Sequence, residues 1–327
     1  MADVLVLGSL NMDLVARVDR LPRSGETLTG NGFATVPGGK GANQAVAAAR
    51  LGTRTAMVGR VGTDGFGKIL RDRLQTEKID VSAIAFSTNA PSGTALIAVA
   101  PDDNQIIVIP GANGEVDEAD LLRLMPYFER AKVLLLQFEI PLPTVEKAAA
   151  LAYQAGLTVI VDPAPATEPL PLGFGEYISI LTPNQTEAAL LTGQAVEDEE
   201  SAIAAATILH QQGIEVVIIK MGALGSVCVT ADACFTTPAF PVKAIDTVAA
   251  GDAFNGGLAT ALVNSVTAAL GDADDYKRMG ASKLRLSILK PAITYASAVA
   301  ALAVTRPGAQ LAMPTKLDVD AFLSTRR

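Results

Sequence analysis

Tryptophan is absent from this chain of 327 residues, histidine occurs once and cysteine twice. Each scarcity removes a class of chemistry. His210, the lone histidine, falls late in the helical pattern 202–212, just before Gly213, where a cation suits the end of a helix. Neither a Ser-His-Asp triad nor a histidine-ligated zinc centre is expected. Cys228 and Cys234 are too few for a disulfide framework and fit a reducing compartment. The net charge of −8 argues against nucleic acid or an anionic membrane as a general partner, so local groups must meet any phosphate. Residues 1–8 are too short and acidic for a secretory signal, and no apolar run is expected to reach the length of a membrane span. A cytoplasmic protein is expected.

Hydrophobic residues, by contrast, make up 50% of the chain, enough for one large α/β domain or a domain with a small appendage. Apolar runs of strand length at 4–7, 55–59, 133–138, 158–161 and 216–219 alternate with helical patterns at 43–51, 66–76, 145–155 and 201–212. That alternation predicts a mainly parallel sheet covered on both faces, with ligands gathering at the carboxyl ends of its strands. Segments 15–35, 94–100 and 105–110 read as strands without intervening helices; by pattern alone they are as consistent with ordinary hairpins as with a separate sheet. The stretch 267–289 carries clustered charges and reads as a surface excursion.

Asp246-Thr247-Val248-Ala249-Ala250-Gly251-Asp252, followed by an apolar helix-forming run, is the most informative segment. Ala249, Ala250 and Gly251 have no bulky side chain, so their amides at a helix start can converge on a phosphate. Asp252 would repel phosphate but can take the proton of a hydroxyl that attacks it. Simple capping by Asp246 or Asp252 is the competing reading. A second glycine-rich turn, Val36-Pro37-Gly38-Gly39-Lys40-Gly41-Ala42-Asn43, precedes an Ala-rich helical run. It lacks the ending of a Walker loop. It lets backbone approach a ligand closely, with Lys40 and Asn43 as donors to hydroxyls.

These two segments closely resemble the signatures of the ribokinase-like (PfkB) sugar kinases. Segments at 8–13, 162–166, 182–187 and 304–310 resemble the same family in the same order, so the likeness runs almost end to end. It implies one ribokinase-like kinase domain over 1–327, with a three-layer α/β fold and a small β-sheet lid from about 12–36 and 92–110. The implied reaction is ATP-dependent phosphorylation of a sugar, above all D-ribose at O5, with deoxyribose, fructose or a nucleoside as alternative acceptors. A sugar-binding regulator without turnover is the non-enzymatic alternative.

By the same resemblance, Asn11, Asp13, Gly39, Lys40, Asn43 and Glu139 line the sugar pocket, with Asp252 at its end. Glu139 also reads as a solvent-facing strand-end acid. Asn184 and Glu187 organise magnesium and phosphates, or cap a helix, or both. Lys220, Met221, Gly222 and Gly225, with Asn184, Gly251 and Ser297, hold ATP. Asp246, Val248, Ala303, Arg306, Gly308 and Ala312 surround an activating potassium ion. The chain departs from the family in placing Ala312 where a serine is common, and Ser297 where a larger polar side chain is common beside the purine. A homodimer joined through the lid is implied.

Overall fold

The computed structural model of the chain describes residues 2–101, 103–270 and 284–326. Its elements run β1 (Val4–Leu7), β2 (Asn11–Arg17), β3 (Gly32–Gly38), α1 (Lys40–Arg50), β4 (Thr55–Gly62), α2 (Gly65–Thr76), β5 (Ile84–Ser87), β6 (Gly93–Val99), β7 (Asn104–Ile109) and α3 (Glu118–Leu124). They continue with β8 (Val133–Gln137), α4 (Leu142–Gln154), β9 (Thr158–Asp162), β10 (Ile180–Leu181), α5 (Gln185–Thr192), α6 (Glu199–His210), β11 (Val216–Lys220), β12 (Ser226–Thr230) and β13 (Cys234–Thr237). Three helices close the described chain: α7 (Ala250–Leu270), α8 (Leu286–Ala303) and α9 (Lys316–Ser324).

Nine strands form one sheet in the order β13-β12-β11-β10-β9-β8-β1-β4-β5. Every pairing from β11 to β5 is parallel, and β12 and β13 add an antiparallel edge. The cause is legible in the central strands, which are apolar on both faces and fully buried. Their side chains alternate between two cores. Val4, Val6, Val133 and Leu135 join one core beneath α1, α7 and α8, which contribute Val46, Phe254, Leu258, Ile293 and Val299. Leu5, Leu7, Leu134 and Leu136 join the other, beneath α4 and α6, with Val145, Ala148, Ala202 and Leu209. Each buried valine, leucine or isoleucine among these contributes about 1.5–3 kcal/mol relative to exposure.

The expected elements are present with shifted ends. Helix α1 begins at Lys40 rather than 43, because Gly39 holds φ at 89° and turns β3 directly into the helix without a capping side chain. Helix α4 begins at Leu142 rather than 145, with a proline in its first turn, where a missing N–H costs nothing. His210 ends α6, and its Nδ1 lies 2.7 Å from the Ile214 carbonyl oxygen. Both cysteines are free thiols.

The segments without helices form a second sheet, in the order β3-β2-β6-β7. Strands β2 and β3 pair antiparallel, as do β6 and β7, and parallel pairing of β2 with β6 joins the two hairpins into one sheet. Helix α8 corrects one expectation. Its 18 residues have a mean hydropathy of 1.5, enough by length and composition to cross a membrane. It lies against α7 instead and buries Leu289, Ile293, Ala296 and Val299 in the core. Of the stretch 267–289, the two ends belong to α7 and α8, and 271–283 lies outside the described residues.

Candidate active site

The chemistry-bearing residues meet where β1, β8, β9 and β11 end and α1 and α7 begin. Glu139 follows β8 and accepts hydrogen bonds from the Ser9 hydroxyl, the Lys40 amide at 3.1 Å and the Asn11 side chain at 3.4 Å. Asn113 fixes Asn11 from behind. Its side-chain amide donates to Asn11 Oδ1 at 2.7 Å and to the Leu10 carbonyl at 3.1 Å, while its own oxygen accepts the Leu10 N–H at 2.9 Å. Asp13 lies two residues beyond Asn11 on β2, on the same side of the strand. Burial pushes its carboxyl up to about 7, with Glu139 and Asp252 adding repulsion.

Helix α1 presents Lys40, Asn43 and Gln44 at i, i+3 and i+4, hence on one face. Asn43 Nδ2 donates to Asp252 Oδ2 at 2.9 Å and Gln44 Nε2 to Asp252 Oδ1 at 3.1 Å, so each carboxylate oxygen of this buried acid holds a neutral donor. Burial raises the Asp252 carboxyl to about 6; Lys40 and these two amides oppose the rise, and Asp162 adds to it. Such a group is mostly ionised at neutral pH and basic enough to take a proton. Burial would lower the Lys40 ammonium, but the carboxylates of Asp252, Asp162, Glu139 and Glu187 outweigh it and hold it above the ordinary value.

Ala249, just before α7, adopts a left-handed backbone with φ 59°, a conformation that strains a residue with a Cβ. The Ala250 amide donates to Thr247 O at 3.3 Å and the Ala253 amide to Ala249 O at 2.9 Å. The first-turn amides between them, of Gly251 and Asp252, lie too early in the helix for a carbonyl four residues back. Lys220 stands over this turn. A Cβ on Gly251 would come within 3.1 Å of Lys220 Nζ, and the same ammonium donates to Asp162 Oδ1 at 2.9 Å. A helix start whose first-turn amides have no carbonyl four residues back, with an ammonium beside it, is a positive site that suits a phosphate.

Asn184 and Glu187 form a reciprocal capping box at the start of α5, each side chain accepting the other's backbone N–H at 2.8 Å. A backbone bridge between Asn184 and Lys220 places this cap beside β11. Burial raises the Glu187 carboxyl, as does Asp162, while Lys220 lowers it. Met221 is buried, and Gly222, Ala223 and Leu224 are exposed in a turn closed by the Met221 amide on the Gly225 carbonyl at 2.8 Å. Ser297 is half-buried on α8.

Asp246 accepts the Val248 amide at 3.0 Å and the Gly308 amide at 2.8 Å, and its own N–H donates to Val304 O at 3.2 Å. The Arg306 amide meets the Ala303 carbonyl at 3.2 Å, and Ala312 is buried. Asp246 thus ties the segment before α7 to the segment after α8. The Arg306 side chain pairs with Asp318.

Ser9, Gln44, Asn113, Gln137 and Asp162 hold this cluster together and were not singled out by sequence reasoning. Gln44 could have been found as the residue one turn beyond Lys40, and Asp162 as the acid ending a buried strand. Nothing local marks Asn113, which reaches Asn11 across 102 positions. A depression of about 480 Å³ lined by Arg60, Asn89, Glu115, Asp117 and Thr144 shares no residue with the cluster.

A buried carboxylate set between two further acids and a helix start that carries an ammonium is the arrangement of a small-molecule phosphotransferase. The chain belongs to the pfkB family of carbohydrate kinases, whose model matches residues 1–316. It is 39% identical over 319 residues to a ribokinase of Haemophilus influenzae, covering 97% of each chain. It is 33% identical to a deoxyribokinase of Salmonella typhi, over 98% of this chain and 99% of the other. Among solved structures, ribokinase from Giardia lamblia superposes with a TM-score of 0.90 at 28% identity, over 100% and 99% of the two chains. Arabidopsis thaliana ribokinase, solved with ribose and ATP, gives 0.83 at 30% identity over 98% of each.

Proposed function

We propose that this enzyme is an ATP-dependent ribokinase that transfers the γ-phosphoryl group of ATP to O5 of D-ribose, yielding D-ribose 5-phosphate and ADP. The observation that carries the reading is Asp252, clamped by Asn43 and Gln44 beside both Asp13 and the Gly251 turn. O5 gives its proton to Asp252 as it attacks phosphorus, the bond to the bridging oxygen breaks, and ADP leaves. Amides at the start of α7 and Lys220 offset the charge on the transferring group. Asp13 and Glu139 accept from ring hydroxyls, and Asn11 and Lys40 donate to them. Asn43 Oδ1 is buried with no partner, which suits an acceptor awaiting a hydroxyl proton.

The donor set also fits magnesium. Among the described residues no group of three acids, histidines or cysteines forms a metal cage; one amide and one carboxylate, Asn184 and Glu187, suit an ion that keeps most of its waters. When bound with ATP, magnesium neutralises phosphate charge. Potassium would use Asp246 with the carbonyls of Val248, Ala303, Arg306, Gly308 and Ala312, and Ala312 can offer only its backbone. A cytoplasmic location fits the free thiols.

The small sheet acts in this reading as the lid of a single kinase domain, and as a dimer interface. Deoxyribose is the second reading, supported by the deoxyribokinase relative. Turnover with ATP measured on ribose, 2-deoxyribose, fructose and nucleosides decides between acceptors. Losing a hydroxyl paired with one of these partly buried acids costs about 1–3 kcal/mol, so ribose is expected to exceed 2-deoxyribose in kcat/KM. Equal values would refute the ribose assignment, and ATP turnover unaffected by any sugar would favour a regulator.

A further inference from the structure

Behind the proposed base lies a chain of buried polar groups that sugar and phosphate binding do not require. Gln137, Gln44, Asp162 and Asp252 are each at most 4% exposed. Gln137 Nε2 donates to Gln44 Oε1 at 2.8 Å. The Gln44 amide group then donates twice, to Asp162 Oδ2 at 3.0 Å and to Asp252 Oδ1 at 3.1 Å. The other oxygen of Asp162 accepts the Lys220 ammonium at 2.9 Å, and that ammonium lies over Gly251. Two carboxylates facing one amide require it to be a donor to both, and the Gln137 donor on its oxygen enforces the same orientation. A glutamate at 44 would add a third negative charge, and an apolar residue would leave both acids short of a partner.

We propose that Gln44, oriented by Gln137, and Asp162 form a positioning relay that sets the Asp252 carboxylate and the Lys220 ammonium as one unit. The proposal rests on Asp252 being the base of the reaction above. Asp162 has two effects in it. Its negative charge disfavours ionisation of Asp252 and so makes that group more basic, and its second oxygen holds Lys220 at the phosphate turn. Gln44 opposes the first effect by hydrogen bonding to the ionised form. The charged groups acting on Asp252 are Asp162 of β9, Lys40 of α1 and Asp13 of β2; Lys220 of β11 acts through Asp162.

Opposite effects from neighbouring residues give a signature that a merely structural role lacks. The Asp252 carboxyl is titrated by carbon-13 NMR in protein labelled at aspartate, and its resonance is assigned by its loss in Asp252→Asn. Asp162→Asn is expected to lower the midpoint by about one pH unit, and Gln44→Met to raise it. Gln137→Leu, which touches neither acid, is expected to raise it by less. With ribose and ATP, the acid limb of kcat moves with the same signs. Unmoved midpoints, or shifts of one sign in Asp162→Asn and Gln44→Met, overturn the relay. If Gln44→Met does not fold, the opposed signs of Asp162→Asn and Gln137→Leu decide the matter. A wild-type protein with no sugar kinase turnover overturns the ribokinase reading instead, while the titration still decides the relay.

Discussion

At the scale of single residues, two carboxyls with raised proton affinity carry the sharpest expectations. Asp252→Asn keeps the shape and the two amide neighbours but removes the proton acceptor, so kcat with ribose and ATP should fall about 10²–10⁴-fold, with ribose affinity comparatively preserved. A near-normal kcat would remove Asp252 from catalysis. Asp13 carries a stability consequence as well. Burial lifts its carboxyl from 3.8 to about 7, so between those values the folded protein keeps a proton the unfolded chain has released. The group's stabilisation is therefore fully present below pH 3.8 and is lost as pH rises through about 7. Asp13→Asn escapes that loss. After screening of a half-buried side chain, the variant should be about 1–2 kcal/mol more stable than wild type at pH 8, with the gap closing toward pH 4. Ribose affinity should fall in the same variant. Thermal unfolding at the two pH values tests the first claim, and a gap independent of pH would dismiss it.

At the scale of elements, the start of α7 is held in place from a distance. Asp246 is bound by amides on both sides, from Val248 and from Gly308 beyond α8, and Ala249 is in a strained left-handed turn just before the helix. A negative group so near the proposed phosphate site is unfavourable unless a cation offsets it. Potassium held by Asp246 and backbone carbonyls would supply that charge and fix the Thr247–Gly251 amides for the transferring group. Turnover should rise with potassium at constant ionic strength and magnesium, relative to tetramethylammonium. The rise should be less steep than in Ala312→Ser, which adds a hydroxyl ligand. A flat response in wild type that Ala312→Ser restores would show that this chain has lost the site.

For the whole molecule, the small sheet sets the question of assembly. All six residues of β7 are exposed, and Phe33, Leu96, Ile106, Ile107, Val108 and Ile109 present large apolar side chains to solvent. An exposed apolar strand at a sheet edge invites pairing, and a second copy of the same sheet is the occupant we propose. Light scattering should report a mass near twice that of the chain, falling to the monomer in Ile107→Lys. A monomeric wild type would refute the interface.

Sequence alone was sufficient for the parallel sheet, because β1, β8, β9 and β11 are apolar on both faces and that pattern has few other homes. It also located the two glycine-rich turns and the acids beside them, which the fold brings together, since close backbone approach depends on residue types at short spacing. Short edge elements such as β5, β10 and β13 were not legible, because two to four residues carry too little periodicity. Nor could pattern decide between two hairpins and one sheet: the parallel pairing of Asn11–Arg17 with Gly93–Val99 is a contact across about eighty positions. The same limit applied to the site. Asn113 locking Asn11, and Gln137 orienting Gln44 between Asp162 and Asp252, join residues far apart in the chain, and their partnership exists only once burial removes water and leaves each polar group to find its neighbour.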